Sequence, residues 1–168
     1  GQSLTNFVNN GILQMSFSLN FASDVFMDSN NNIVYSTLND EVFRINPDGT
    51  LDSTFNYNLY AQSGINGGAW ILKIIEKNGY YYIGGYGEVD FAHTYFISKL
   101  DQNDTVNSNF NYFSESNPNL IGIGDMIVND NNIIANGSGY IVKYLLNNAT
   151  LSATETEKNN QEIFLRIQ

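Results

Sequence analysis

The sequence contains three copies of a repeat at a spacing of about 50 residues, and this periodicity constrains the fold more than any other feature. Each copy opens with a turn rich in Asn or Gly. A short apolar strand, small residues and an alternating strand that carries one basic residue follow in turn. Anchored in the apolar strands at Val34, Tyr82 and Ile134, the copies are 48 and 52 residues apart. Such self-similarity is typical of propeller blades or of arrays of structural repeats.

The segment that most clearly marks the repeat is "RINPDGTLDSTFN", which begins at Arg44. Pro47 fixes the φ angle of the first turn position. Asp48 and Gly49 supply the side-chain hydrogen bond and the positive φ that complete the turn. Weaker versions of the segment occupy residues 9–17 and 100–110. We expect the apolar residues after each turn to be buried between neighbouring sheets.

Composition indicates strands and turns rather than helices. The chain of 168 residues contains 11 Tyr and 11 Phe, which favour strands, and 27 Asn, which closes tight turns. No window shows a helical period with caps, so we predict little or no helix. Three further apolar stretches are predicted as the innermost strands of the units: "FASDVFM", "AWILKII" and "IGDMIV". The predicted fold is all-β and β-propeller-like, with about three four-stranded antiparallel blade units.

The predicted repeat domain spans residues 1–150, and a polar C-terminal tail or linker spans residues 151–168. Within the domain, the predicted units cover approximately residues 18–56, 65–111 and 120–151, and an orphan outer strand covers residues 9–17. Because the third unit lacks a good last strand, we expect residues 11–17 to pair with its open edge, within one chain or between two copies. A homo-oligomer that completes a ring is therefore one expected assembly.

The segment that begins at Arg44, together with "YYYIGG" and "ISKLDQNDTVNSNF" in the second unit, resembles the delta-60 repeat. In that repeat Gly-Gly ends an apolar strand and Asp-Gly forms the following turn. The third unit resembles it weakly. The resemblance implies a β-propeller of the kind found in bacterial surface and secreted proteins, mostly without assigned activity. A closed propeller takes at least four blades, so three units imply a fragment, an assembly of copies or another packing of the sheets.

The tail, "LSATETEKNNQEIFLRIQ", resembles the segment that precedes the C-terminal sorting domain of Bacteroidetes proteins exported by type IX secretion. The Tyr-Pro-Asn-Pro signature of that junction is absent. The resemblance implies a secreted or cell-surface location, and an ordinary C-terminal tail is the alternative interpretation.

Charge excludes several classes of partner. The net charge is −10, and seven Lys and Arg residues scattered singly cannot form the basic stripe that nucleic acid or anionic lipid requires. No apolar run approaches the length of a membrane-spanning helix, so we predict neither nucleic-acid binding nor membrane insertion. No basic-then-apolar signal peptide is present, which fits a cytoplasmic or a mature chain. Cysteine is absent, which rules out disulfides and thiolate metal sites.

The candidate ligand site lies in "YYYIGGYGEVDFAHTYF", residues 80–96, where aromatic rings alternate near carboxylates. This combination suits sugar rings, because their CH-rich faces stack on aromatic faces. The predicted ligand-binding residues are Tyr82, Tyr86, Glu88, Asp90, His93 and Tyr95. The alternative is that the aromatic residues fill the space between sheets and residues 88–94 form a longer hairpin loop. Trp70, the single Trp, is predicted to lie in the core.

Glu88 and Asp90 also suit the carboxylate pair of a glycosidase, which requires two carboxylates about 5 to 10 Å apart. His93 is the single histidine, and its surroundings lack the nucleophile elbow of a serine hydrolase. No catalytic residue is therefore assigned.

The candidate metal site is a calcium loop. "DSNNN" places Asp28, Asn30 and Asn32 at the first, third and fifth positions of a D-x-N-x-N loop, whose oxygens suit a hard cation. Position 33 is Ile where such loops need Gly, and position 39 is Asn where they need glutamate. The same residues equally suit a hairpin turn, and no other cofactor is predicted.

The sequence favours a non-catalytic, secreted or cell-surface repeat module that binds carbohydrate or protein, or that acts as a scaffold. A polysaccharide-acting enzyme and a purely architectural part of a larger assembly are the alternatives. A lectin would expose stacking aromatics on one face, and an enzyme would place paired carboxylates in a pocket. An architectural module would expose an apolar, self-complementary edge.

Overall fold

A computed structural model describes residues 22–38, 41–55, 57, 68–89, 92–100, 112–113, 123–137, 140–146 and 163–166. Over these residues the chain forms three antiparallel sheets and contains no helix, hence none long and apolar enough to cross a membrane. The first sheet contains β1 (Ala22–Met27), β2 (Ile33–Thr37) and β3 (Val42–Ile45). The second contains β4 (Ala69–Lys77), β5 (Tyr80–Val89), β6 (Ala92–Lys99) and β7 (Tyr112–Phe113). The third contains β8 (Asp125–Val128), β9 (Asn132–Gly137), β10 (Tyr140–Leu145) and β11 (Ile163–Arg166).

The body of each sheet is a run of three strands, each hydrogen-bonded to the next along the chain. The all-β, antiparallel prediction is confirmed, but the prediction of four strands in every unit is wrong. The first sheet has three strands, and in the other two the fourth is the short edge strand β7 or β11. In the first unit Leu51 makes one isolated bridge to Ile45. The Asp52 carboxylate then accepts hydrogen bonds from the N–H and hydroxyl of Thr54, which turns the chain before a strand can form.

The strand β11 lies within residues 151–168, which the sequence predicts as a polar tail. It pairs antiparallel with β10 at the outer edge of the third sheet. This edge is the one that residues 11–17 were expected to cover. Residues 9–17 lie outside the described part of the chain, so their predicted strand stays a prediction.

Strand register confirms the repeat position by position. Phe26, Ile75 and Ile127 on the first strands lie opposite the anchor residues Val34, Tyr82 and Ile134 on the second strands. On the other side, the same anchors lie opposite the three basic residues that recur in the sequence: Arg44, Lys99 and Lys143. The residues paired around these anchors therefore have defined structural equivalents in all three units.

The predicted turn chemistry is also present. Gly49 has φ 88°, its N–H donates to the carbonyl of Asn46 at 2.9 Å, and the Asp48 carboxylate accepts from the Thr50 N–H at 2.9 Å. In the β4–β5 hairpin, Asn78 and Gly79 have φ 55° and 76°. Positive φ at both central residues is the requirement of the two-residue hairpin turn whose twist matches the strands.

The second sheet is buried on both faces. We call the face that the first or second sheet turns toward the next sheet its front face, and the opposite face its back face. The back face of the third sheet is the one that contacts the second sheet, and its front face is the opposite one. The first interface joins the first and second sheets and includes Val34, Ile71 and Ile83. The second interface joins the second and third sheets and includes Tyr82 and Ile133. Alternate residues of β5 thus serve opposite interfaces, because successive side chains of a strand point to opposite faces.

A β-bulge in the long strand β4 changes which side chains face each of the two interfaces. The register shifts between Ile71 and Lys73, so Ile71 and Ile74 both lie in the first interface although they are three residues apart. Gly85 lies opposite Ile71, and a Cβ added there would lie 2.0 Å from the carbonyl oxygen of Trp70. Glycine at position 85 is therefore needed for the close approach. The same register shift precedes Asp24 in β1.

Candidate functional site

Two of the predicted ligand-binding tyrosines form part of the core. Tyr82 and Tyr95 are 4% and 2% exposed and lie in the second interface, so neither offers an accessible ring face to a sugar. Tyr86 is half-buried and stacks on Trp70, with ring centroids 4.8 Å apart and planes inclined by 14°. Trp70 is half-buried as well, rather than fully within the core. Of the predicted aromatic set, Tyr86 is thus the described member with an accessible surface.

One of the two predicted carboxylates, Glu88, lies near the end of the same strand as Tyr86. Glu88 of β5 is half-buried and lies opposite His93 of β6 in the strand register. Asp90 and the side chain of His93 lie outside the described part of the structure. The carboxylate pair of Glu88 and Asp90 therefore stays a prediction.

The predicted calcium loop has the geometry of a hairpin turn closed by one carboxylate. Asp28 is 5% exposed, and its Oδ1 accepts hydrogen bonds from the N–H groups of Asn30 and Asn32 at 2.9 and 2.8 Å. Its Oδ2 accepts from the Asn32 side-chain amide at 2.9 Å and from the Tyr81 hydroxyl at 2.7 Å. Burial alone would raise the pKa of Asp28, but these hydrogen bonds from Tyr81, Asn32 and Asn30 lower it. The protein itself thus supplies donors to both carboxylate oxygens.

Sequence reasoning missed the polar cluster that this carboxylate joins. We call it the motif cluster: Asp28, Arg44, Asp52, Phe55 and Tyr81. The Arg44 guanidinium donates to the Asp52 carboxylate at 2.8 Å and lies 4.6 Å from the centre of the Phe55 ring. Phe55 packs edge-to-face on Tyr81, whose hydroxyl reaches Asp28 across the first interface. In the first unit, the repeat motif therefore contributes contacts that join the first sheet to the second.

The carboxyl group of Asp52, a member of the motif cluster, has a strongly lowered pKa. The hydroxyl of Thr54 is the largest cause, and burial acts against it. The Thr54 N–H and the Arg44 guanidinium add to the lowering, so the pKa of Asp52 is about 2. The charge of Arg44 is consequently balanced within the first interface at neutral pH.

A second polar cluster joins the first strands of all three sheets. The ammonium of Lys73 lies 3.4 Å from the Asp24 carboxylate and 3.5 Å from the Asp125 carboxylate. Asp24, Lys73 and Asp125 each stand two residues before the equivalent positions Phe26, Ile75 and Ile127, so they are equivalents across the repeat. We call this set the inner-edge triad. Aligning the first strands of the three units in the sequence would have exposed it.

The triad also protects the exposed edges of the first strands. β1, β4 and β8 each pair on one side within their sheets, so N–H groups on the other side need partners. The N–H groups that follow Asp24 and Asp125 donate to those same carboxylates at 3.0 and 2.9 Å. Lys73 cannot accept a hydrogen bond, and the N–H of the next residue, Ile74, donates instead to Asp24 at 2.9 Å. The Asp24 carboxylate therefore accepts hydrogen bonds from backbone N–H groups of two neighbouring sheets.

Within the described ranges, no group of three or more His, Cys, Asp or Glu side chains could hold a metal ion. The two carboxylates of the inner-edge triad have an ammonium between them, and the Asp28 carboxylate is engaged by protein donors. The calcium prediction thus gains no support from the geometry of this turn.

Each of the two end sheets exposes an apolar side chain on its outward face. Val25 on the back face of the first sheet is 61% exposed, whereas its equivalents Ile74 and Met126 are 2% and 3% exposed. Ile127 on the front face of the third sheet is 63% exposed, whereas its equivalents Phe26 and Ile75 pack into the two interfaces. The same position of the repeat is thus covered where one described sheet faces another and exposed where no described sheet lies over it.

No protein-family model matches this chain, and neither the curated proteins nor the solved structures include a significant match. The function must therefore be argued from the geometry described above.

Proposed function

We propose that this chain is a non-catalytic repeat module of the delta-60, propeller-like type that acts as a binding scaffold through the faces of its end sheets. The observation that carries the proposal is the exposure of Val25 and Ile127 at positions that are buried in the equivalent units. Scattered exposed aliphatic residues are ordinary, but here they mark both ends of a repeated packing pattern. A secreted or cell-surface location is part of the proposal and is motivated by the sequence resemblances alone.

Two further observations support binding over catalysis. Tyr82 and Tyr95, which the sequence placed in a ligand site, are used for packing between sheets. The ionisable side chains of the motif cluster and the inner-edge triad are paired with one another across sheets. Structural ion pairs of this kind join elements together and do not by themselves provide an acid or a base for chemistry.

Thiol labelling tests whether the end faces are accessible surfaces, since the chain contains no cysteine. Val25→Cys and Ile127→Cys are compared with Ile74→Cys, which introduces the same thiol at a covered equivalent position. At high dilution we expect a maleimide to react with the first two folded variants nearly as fast as with unfolded protein. The Ile74→Cys variant should react far more slowly. Equal protection of all three thiols would mean that the chain covers its own end faces, and the scaffold proposal would be lost.

Carbohydrate binding at the stacked pair of Trp70 and Tyr86 is a second candidate function. Both side chains are half-buried, and Tyr86 lies on the same strand as Glu88, so a sugar could stack on the accessible ring surface and hydrogen-bond to the carboxylate. Because Trp70 is the single Trp, its fluorescence reports directly on this site. Titration with soluble oligosaccharides should shift the emission of the wild type and leave Tyr86→Ala unshifted. Identical titrations for both proteins would exclude the site.

The enzyme alternative is tested with the same reagents. We expect neither the wild type nor Glu88→Gln to release reducing ends from a panel of soluble polysaccharides. Release by the wild type that Glu88→Gln abolishes would replace the scaffold proposal with a glycosidase.

A further inference from the structure

We infer that two copies of this chain pack head to tail, the back face of the first sheet of each copy lying on the front face of the third sheet of the other. This inference rests on the proposed function and names the partner of the end faces. It would close a ring of six sheets from two copies of three.

The back face of the first sheet has the composition of a covered face. Among its described positions are Val25, Ile33 and Tyr35, which we compare with the other two sheets. Their equivalents in the second and third sheets are between 0% and 6% exposed: Ile74, Tyr81, Ile83, Met126, Ile133 and Ala135. In the first sheet Val25 is 61% exposed, and the other two side chains are half-buried. Within the described part of the chain no sheet lies over these three apolar side chains, although Ile45 on the same face is 1% exposed.

The front face of the third sheet is the matching half. Ile134 is half-buried, whereas its equivalents Val34 and Tyr82 are 0% and 4% exposed in the two interfaces. Lys143 is exposed, although its equivalent Arg44 is held within the first interface. With Ile127 at 63% exposure, this face repeats the packing surface of the first two sheets, and none of the described sheets covers it.

A second copy fits these faces because both internal interfaces join a front face to a back face. The two faces that remain are the back face of the first sheet and the front face of the third sheet. The front face of one copy can therefore pack on the back face of another as in the two internal interfaces. A contact between different faces either closes into a ring or propagates into a filament. Six sheets lie within the range of four to eight blades that closed propellers use, which favours closure by two copies.

The same geometry predicts an electrostatic signature for the contact. The inner-edge triad places Lys73 between Asp24 and Asp125 within one copy. Where copies meet, Asp125 would approach Asp24 of the second copy without a lysine between them. Like charges oppose association and salt screens them, so association should strengthen as salt is added. Replacing Asp125 with Asn should strengthen it as well.

The test is the solution mass of the full chain by light scattering over a range of concentrations, with two charge variants. Val25→Glu and Ile127→Lys each place one charge in both interfaces of a closed pair, and each should weaken the wild-type dimer about a hundredfold. Mixing the two variants should restore the dimer, because one interface then has Glu facing Lys and the other is unsubstituted. Ser53→Glu and Ser53→Lys, at an exposed turn residue, serve as controls and should leave the dimer unchanged.

A wild-type chain that stays a monomer at all concentrations would overturn the inference. A dimer that the mixed variants fail to restore would also overturn it, because the contact would then join like faces. Fast labelling of Val25→Cys and Ile127→Cys with a monomeric mass would leave the scaffold function standing with a different partner. Slow labelling of both in a monomer would remove the function and the inference together.

Discussion

The Tyr81 hydroxyl offers the sharpest test of how the repeat motif holds two sheets together. Tyr81→Phe removes one oxygen and keeps the ring that packs against Phe26 and Phe55. The hydroxyl donates to the Asp28 carboxylate at 2.7 Å, and both residues are nearly fully buried. The substitution therefore removes one hydrogen bond across the first interface without opening a sizeable cavity.

The expected loss follows from the charge and burial of the acceptor. A hydrogen bond to a charged group contributes about 1.5–3 kcal/mol, more than a neutral one, because a buried acceptor cannot recover it from water. Asp28 keeps its bonds from Asn30 and Asn32, which places the loss inside this range. The 3.5 Å contact between Arg44 and the hydroxyl is too long to add much. We expect Tyr81→Phe to lower the free energy of unfolding by about 2 kcal/mol.

Urea denaturation at a fixed protein concentration measures this loss, and Tyr35→Phe is the matched control. The Tyr35 hydroxyl is buried and has no hydrogen-bond partner, while its ring stacks on Phe43 at 5.1 Å. Its removal should cost less than about 0.5 kcal/mol, because an unpaired buried hydroxyl stabilises nothing. Equal losses in the two variants, or a loss below about 0.5 kcal/mol for Tyr81→Phe, would refute the assignment of the Tyr81–Asp28 bond as a structural tie.

Three further predictions concern charge and packing. The pKa of Asp52 is about 2 in the folded chain against 3.8 ordinarily, so the stability it contributes is full above pH 3.8 and is lost as pH falls toward 2. Asp52→Asn should therefore reduce the pH dependence of the free energy of unfolding between pH 3.8 and 2, as measured by acid unfolding. Gly85→Ala should cost about 3 kcal/mol in urea melts, whereas Gly124→Ala, with its nearest atom at 3.3 Å, should cost about 1 kcal/mol or less. Lys73→Met should lower the free energy of unfolding by about 1 kcal/mol, because the two aspartates that Lys73 bridges repel each other once the ammonium is removed. Salt screens this repulsion, so the loss should be smaller in high salt.

Much of the local structure could be predicted from the sequence because it depends on short-range chemistry. The turn at Gly49, the hairpin at Asn78 and the positions of the three first strands follow from residue preferences and repetition. The edge strand β11 could not be predicted, since "IFLR" is four residues long in a polar segment and its partner β10 is remote in sequence. Strand pairing over such distances leaves no local pattern.

The burial of Tyr82 and Tyr95 in the predicted ligand site could not be predicted, for a physical reason. Alternation in β5 shows that Tyr82 and Tyr81 point to opposite faces, but it does not show whether another sheet covers either face. Both faces are covered, so Tyr82 and Tyr95 became core and Tyr86 stayed accessible near the strand end. The predicted alternative, that alternating aromatics fill the space between sheets, describes these two tyrosines correctly.

The position of the second sheet between two neighbours has a consequence for how the molecule opens. Within a single copy, the first and third sheets can each separate by breaking one interface, whereas the second can open only if both interfaces break. In a stack whose units contact only their neighbours, stability is the sum of each unit's own stability and its interface terms. Amide hydrogens of β4, β5 and β6 should therefore exchange through the most costly opening, and those of the end sheets through cheaper, separate ones. The middle unit is then the last part of this chain to unfold and the natural starting point from which the others assemble.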